Sequence, residues 1–131
     1  MAEQKVALVT GVSSGIGLAT TTRLLKEGFR TFGTVRESRP SKLPTGLELS
    51  RLDVRDDGSV HAGLQAVLDQ AGRIDALINN AGSVLFGSLE ETSIDEAKAL
   101  FETNFFGVLR MCQAVLPIMR RQNDGRIVNI S

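Results

Sequence analysis

Thr10-Gly11-Val12-Ser13-Ser14-Gly15-Ile16-Gly17 sets three glycines among small and hydroxyl-bearing residues, directly after a short apolar run, Val6 to Val9. An amphipathic segment, Leu18 to Glu27, follows at once. A strand feeding a glycine-rich turn that becomes a helix is a phosphate cradle. The first N–H groups of a helix lack partners within it, and the helix dipole places partial positive charge at the same end. A pyrophosphate satisfies both. Glycine lets the backbone turn tightly and lets a ligand come close. The spacing here is G-x-x-x-G-x-G, not the G-x-G-x-x-G of the general dinucleotide fingerprint. The plain alternative is an ordinary strand-to-helix turn.

The elements that must hold this turn alternate along the chain. Val6 to Val9 reads as a buried strand, and Leu18 to Glu27 as a helix stopped by Gly28. Arg30 to Val35 is a second strand, and Arg36 to Gly46 a loop broken by Pro40 and Pro44. Leu47 to Leu52 is a third strand. A helix from about Asp57 to Gln70 carries Val60, Leu64, Val67, Leu68 and Ala71 at helical spacing, with Gly72 at its end. Ala76 to Asn79 and Arg126 to Ile130 are the fourth and fifth strands. Between them a long helix, Ile94 to Arg121, opens on a Ser93-x-x-Glu96 capping box. Its apolar stripe is expected to be Ala97, Phe101, Asn104, Val108, Cys112, Val115 and Met119, with a kink or end at Pro117. Strand–helix alternation predicts an α/β fold, a doubly wound parallel sheet covered on both faces.

Composition excludes several function classes. The chain has 131 residues, 42% apolar and 23% charged, the proportions of one globular domain. Net charge is zero, so no general attraction to nucleic acid or an anionic membrane is expected. No apolar run is long enough to span a bilayer, and Met1 to Lys5 does not read as a secretory signal. A single cysteine and a single histidine leave no internal disulfide and no Cys/His metal cluster, so no metal site is expected. Together these features predict a cytoplasmic protein.

Four motifs in register point to a family. Thr10-Gly11-x-x-x-Gly15-Ile16-Gly17, Asp53-Val54, Asn79-Asn80-Ala81-Gly82 and Asn104-x-x-Gly107 resemble, in order and spacing, the short-chain dehydrogenases/reductases. The closing Arg126-Ile127-Val128-Asn129-Ile130-Ser131 is similar to that family's fifth strand, so the resemblance covers the whole chain. It implies a Rossmann-like sheet, here truncated after the fifth strand, with residues 1–131 as the NADP(H)-binding N-terminal portion. It also implies hydride transfer between a nicotinamide and a carbonyl or secondary alcohol.

The resemblance implies roles residue by residue. Gly11, Ser13, Ser14, Gly15, Ile16 and Gly17 would lie against the adenosine and pyrophosphate. Asp53 would meet the adenine amino group, with Val54 beside the ring; the plain reading of Asp53 is a helix N-terminal acid. Asn80 would brace the central strands, and Ala81 and Gly82 would leave room for the ribose. Asn104 would join the catalytic group by holding a water of the proton relay with its main chain; its plain reading is a satisfied core asparagine. Residue 35, where NAD-preferring members would carry Asp, is Val, which accepts no hydrogen bond. Arg36 follows, with Arg39 and Lys42 nearby. A guanidinium binds a 2′-phosphate through parallel hydrogen bonds, so NADP(H) is favoured over NAD(H). The plain reading of Arg36 is a solvated loop charge.

His61 is assigned no role, and Cys112 reads as a small core residue. Leu85, Phe86 and Gly87 either form an apolar wall by the site or cover the core. Phe101, Phe105, Phe106, Val108, Leu109 and Met111 make a wide apolar face, partly core. In the family this helix also serves a subunit interface, which implies a homo-oligomeric parent through residues 94–121. The family's chemistry needs a tyrosine four residues before a lysine, and this chain contains no tyrosine. Ser131 aligns one position before the family's catalytic serine. The chain by itself is therefore expected to be inactive. A non-catalytic dinucleotide-binding module or subunit is the alternative, and the parent's substrate would be a small carbonyl or alcohol.

Overall fold

β1 (Val6–Val9) is apolar at every position because both of its faces are covered. Val6 and Leu8 enter one core, Ala7 and Val9 the other, as side chains alternate across a strand. Around this strand the computed structural model describes residues 4–37 and 39–131; Met1 to Glu3 of the N-terminal stretch and Ser38 of the loop lie outside the described residues.

α1 (Gly15–Lys26) follows β1 and leads to β2 (Arg30–Val35), β3 (Glu48–Arg51) and α2 (Asp57–Ala71). β4 (Ala76–Asn79), α3 (Ile94–Phe101), a π-helical turn (Glu102–Phe106), α4 (Gly107–Gln122) and β5 (Arg126–Asn129) complete the chain. The sheet order is β3-β2-β1-β4-β5, and every pairing is parallel. The chain winds outward from β1 on one side, then crosses back to lay β4 on the other. This is the expected Rossmann-like sheet, with its switch point between β1 and β4.

α2 and α4 bury Val60, Leu64, Val67, Met111, Val115 and Ile118 against Leu8, Phe32 and Leu77. On the opposite face Leu24 of α1 and the neighbouring Phe29 pack on Ala7, Val9, Val12 and Ile78. Asp56 caps α2 by accepting from the Ser59 N–H at 2.7 Å, and Gly72 closes it at φ 75°. The predicted capping box at α3 is formed: the Glu96 N–H donates to Ser93 Oγ at 3.0 Å and the Ser93 N–H to Glu96 Oε1 at 3.2 Å. No helix among the described residues is long and apolar enough to cross a membrane.

Three expectations for the long helix are corrected. It is not continuously α-helical, because Glu102–Phe106 forms a turn in which the Gly107 N–H reaches back to the Glu102 carbonyl. Such a turn holds one residue more than an α-turn and rotates everything after it by roughly 100°. The buried stripe of α4 is Gly107, Met111, Val115, Ile118 and Met119: Val115 and Met119 stand where expected, Gly107 and Met111 are buried in place of Val108 and Cys112, and Phe101, before the turn, is exposed. Asn104 is likewise exposed and off the stripe. Pro117 does not end α4, which runs on to Gln122.

Away from the strands' carboxyl ends, Asp75 stitches the sheet together. Its side chain is 4% exposed, accepts from the Val6 N–H at 2.8 Å and receives both arms of the Arg73 fork at 2.7 and 2.8 Å. Burial pushes this carboxyl up; Arg73, the Val6 N–H and Lys5 outweigh burial and hold it below the ordinary value. A lowered carboxyl contributes stability that is complete above its unfolded value of about 4 and is lost as pH falls through the folded value. Asp75→Asn is expected to cost about 1.5–3 kcal/mol at neutral pH. It should also flatten the loss of stability below pH about 4. Urea unfolding across the acid range reads both, and an unchanged acid slope would show that Asp75 does not carry this limb.

Candidate functional site

A cleft of about 600 Å³ opens at the carboxyl ends of the strands, over the switch point. Gly11, Ser13 and Ser14 reach it from the β1–α1 turn, and Thr34, Val35 and Arg36 from the end of β2. Leu52 to Arg55 follow β3, and Asn80 to Leu85 follow β4. Glu96, Ala99, Leu100 and Thr103 close the far wall.

The glycines of the turn do different work. Gly11 has φ 68°, and a Cβ there would stand 2.8 Å from the Ala81 Cα. Gly17 is buried in the first turn of α1, where a Cβ would collide with the Gly11 carbonyl oxygen and the Asn80 amide. Gly15 has φ 61° and nothing within 4 Å of where its Cβ would be. Packing forbids a side chain at the first two positions; the third is open. Gly15, Ile16 and Gly17 are not cleft walls, and Ile16 is 62% exposed. Ser14 stands at the N-cap without a side-chain cap bond, so its hydroxyl is not spent on the helix.

Side-chain hydrogen bonds lock the turn to the strands on either side. Thr10 Oγ1 accepts from the Asn80 N–H at 3.0 Å and the Ala81 N–H at 2.9 Å. Asn80 Nδ2 donates back to the carbonyls of Thr10 at 3.2 Å and Gly11 at 2.9 Å. On the other side the Gly11 N–H donates to Thr34 Oγ1 at 3.1 Å and the Val12 N–H to the Thr34 carbonyl at 3.1 Å. Val12 rests where a Cβ of Gly33 would be, at 2.5 Å. Asn80 thus braces two central strands. Gly33 and Thr34 are positioning residues that sequence reasoning missed, and Thr10, noted there only as part of the motif, is a third. An isolated glycine within a strand pattern was the available signal, since it marks a close backbone approach.

The mouth of the cleft carries charge of both signs. Arg36 is exposed on the wall, and its carbonyl accepts from Arg51 Nε at 3.2 Å. Asp53 lies two residues beyond β3 and is gripped by Arg55, Nη2 donating to Oδ2 at 2.8 Å and Nε to Oδ1 at 3.0 Å. The Arg55 guanidinium outweighs partial burial, helped by the Arg55 N–H and more distantly by Arg36, and pulls the Asp53 carboxyl down to about 2. Val54 is buried, and Gly107 approaches so closely that a Cβ would meet it at 2.6 Å. Arg110 clamps the same loop: it donates to the Val54 carbonyl at 3.2 Å and to Asp57 at 3.0 Å, and it pairs with Glu102. Sequence reasoning also missed Arg55 and Arg110.

Asn104 uses its amide on the β4 loop. Oδ1 accepts from the Ser83 N–H at 2.9 Å and Nδ2 donates to the Ser83 carbonyl at 2.8 Å. Oδ1 also lies 3.2 Å from where a Gly82 Cβ would be. The alternatives for the apolar loop are resolved against core cover: Leu85 lines the cleft, and Phe86 is 89% exposed. His61 is exposed on α2, away from the cleft walls. Cys112 Sγ accepts from Asn79 Nδ2 at 3.6 Å.

A dinucleotide fits this arrangement on the structure's own terms. Ser14, with its hydroxyl uncommitted, lines one end of the cleft at the N-terminus of α1, and the open positive-φ Gly15 follows it just beyond the wall. These groups match a pyrophosphate. Arg36 and Asp53 offer a donor fork and an acceptor farther along.

The chain matches the short chain dehydrogenase family model over residues 5–131. It is 40% identical over 129 residues to a 3-ketodihydrosphingosine reductase of Bacteroides thetaiotaomicron, covering 98% of this chain and 47% of that protein. A short-chain dehydrogenase from Streptomyces avermitilis superposes with a TM-score of 0.92 at 38% identity, covering 100% of this chain and 50% of that one. A variant of the actinorhodin polyketide ketoreductase solved with NADPH superposes at 0.88 and 35% identity, covering 100% and 55%. The chain spans about half the length of the curated relatives it matches. With its parallel sheet, its glycine cradle and this match along nearly its whole length, the chain belongs to the short-chain dehydrogenase family of oxidoreductases.

Proposed function

We propose that this chain is the coenzyme-binding portion of an NADP(H)-dependent short-chain dehydrogenase/reductase of the cytoplasm, acting on a small-molecule carbonyl or secondary alcohol. The observation that carries the reading is the cradle at the switch point: Gly11 and Gly17 pressed against the β4 loop, with Gly15 open beside the start of α1. Gly11, Ser13, Ser14, Gly15, Ile16 and Gly17 hold the pyrophosphate and adenosine. Asp53 and Val54 receive the adenine, and Asn80, Ala81 and Gly82 shape the ribose site. When bound, the coenzyme supplies a hydride donor or acceptor at nicotinamide C4.

Arg36 supports the phosphorylated coenzyme. It stands on the cleft wall at the end of β2, where Val35 offers no acceptor to a ribose 2′-OH. The NADPH held by the similar ketoreductase agrees with this choice. Asn104 serves the proton relay through its main chain. The π-helical turn that carries it departs from the regular hydrogen-bond ladder, and such turns are frequent at functional sites. The lipid ketone named for the similar reductase, with Leu85 on the cleft wall, supports an apolar substrate. Phe105, Phe106, Leu109 and Leu116, between 43% and 57% exposed, support a homo-oligomeric parent through residues 94–121.

The proton still needs a general acid/base. A tyrosine whose pKa is lowered by a nearby cation would suit, and this chain holds no tyrosine. We therefore assign residues 1–131 a binding role, with chemistry completed by a further C-terminal segment of the parent. The second reading, which the lack of a tyrosine in this chain also suits, is a non-catalytic dinucleotide-binding module or subunit.

Calorimetry is expected to show NADPH binding more tightly than NADH. Arg36→Glu should weaken NADPH by about 10- to 100-fold, the loss of charged hydrogen bonds. It should leave NADH within about threefold of its original affinity. Equal losses for both coenzymes would sink the 2′-phosphate assignment, and no uptake of either would sink the whole reading. NADPH oxidation by the 131-residue chain with a panel of ketones and aldehydes is expected to stay at background. Robust turnover would show that the acid/base lies within these residues.

A further inference from the structure

Asp53 is held in an unusual way for an acid on a cleft wall. An ionised carboxylate offers about four lone-pair positions. Arg55 fills most of them from two residues away: its N–H donates to Oδ1 at 3.0 Å, and Nε donates to Oδ1 at 3.0 Å with a weaker branch to Oδ2 at 3.3 Å. Nη2 takes Oδ2 at 2.8 Å. Oδ1 therefore has two strong donors and Oδ2 one. The acceptor position left over is on Oδ2, and the carboxylate cannot rotate to offer another without breaking the fork.

Stability does not account for the fork. The two side chains are 44% and 28% exposed, and ion pairs so exposed contribute little. What the fork supplies is orientation. Both residues line the cleft, beside Arg36. A free acid here would swing toward whichever cation or donor came nearest, including the Arg36 guanidinium. A carboxylate pinned at both oxygens keeps one fixed acceptor position, on Oδ2, at a residue that lines the cleft.

We propose that Arg55 is a positioning residue for purine recognition: by pinning Asp53 it leaves a single aimed acceptor that takes a 6-amino group and rejects a 6-oxo group, selecting adenine over hypoxanthine coenzymes. The inference rests on the reading of the cleft as a coenzyme site with Asp53 at the adenine. A 6-amino group donates to the remaining position. A 6-oxo group brings an acceptor against an acceptor and gains nothing. Lysine cannot replace the arginine, because an ammonium is a point donor and cannot hold both oxygens in one plane.

The test is calorimetry of the wild-type chain, Arg55→Ala and Arg55→Lys, each with NADPH and with its hypoxanthine analogue. The wild type is expected to prefer the adenine form by about tenfold or more, the worth of a hydrogen bond to a charged acceptor. Both variants should fall to within about threefold between the two forms while melting with the wild type. A variant that keeps the wild-type ratio overturns the proposal, and so does a wild type without preference. Full restoration by lysine overturns it as well, since charge rather than the fork would then suffice. A wild type that takes up neither form shows instead that the cleft is not a coenzyme site, and the inference falls with it.

Discussion

The site depends on one close approach between two backbones, Gly11 against Ala81, at the point where the sheet reverses its winding. Strand pairing cannot hold these segments, because both lie beyond the last residues of β1 and β4. Side chains take over: the Thr10 hydroxyl receives two N–H groups of the β4 loop, and the Asn80 amide returns to two carbonyls of the β1 turn. Each such bond is worth only about 1 kcal/mol net. Their larger consequence is that the Thr10 hydroxyl and the Asn80 amide keep partners where the two loops close over them, in line with the described residues as a whole, where no buried polar side-chain atom lacks one. The approach is possible because Gly11 and Gly17 carry no Cβ. A glycine pattern usually read as a ligand signature is here first a packing requirement between two protein loops.

That constraint propagates sideways. With the turn fastened to β4, it must also pass over β2, and Gly33 yields the space that Val12 fills. Thr34 then satisfies the turn's N–H groups from the other side. The end of β2 is thereby tied to the turn, and Arg36 follows directly after it. Arg51 adds a tie from β3 to the Arg36 carbonyl. Farther along the mouth, Arg110 joins the Val54 carbonyl, Asp57 and Glu102, three different elements. The walls of the cleft are set by these crossings between loops more than by the strands themselves.

Much of this was legible in the chain. β1 is apolar throughout because parallel strands are covered on both faces, and its run of Val-Ala-Leu-Val announced that. The end of α2 and the start of α3 followed from Gly72 and the Ser93/Glu96 pair, whose chemistry is local. The motif residues fell at the carboxyl ends of strands, where α/β sheets bind ligands. The stripe of the long helix was misread for a reason of geometry. A helical wheel assumes a constant turn of about 100° per residue, and one π-helical turn breaks that phase where α4 starts, although Val115 and Met119 remain buried as expected. Val108 and Cys112 matched the pattern, yet Gly107 and Met111 are buried. Arg55 and Arg110 escaped notice because their partners are named only by the fold: a charged residue in a loop carries no trace of which carbonyl or carboxylate it will meet.

The same phase shift explains Asn104. On an unbroken α-helix it would share the stripe that faces the sheet, and its amide would need partners within the core. Asn104 instead lies inside the π-helical turn, where the regular phase no longer holds. It then meets Ser83, whose N–H donates to Oδ1 at 2.9 Å and whose carbonyl accepts from Nδ2 at 2.8 Å. A loop rich in exposed apolar residues, from Val84 to Leu89, is thus tied at its root to the helix rather than packed onto it. Gly107 completes the arrangement, since its missing side chain lets the restarted helix press on Val54 at the far end of the cleft. One irregular turn therefore sets both the loop after β4 and the loop after β3. A regular helix through the same residues would satisfy its own ladder and lose its grip on one of them.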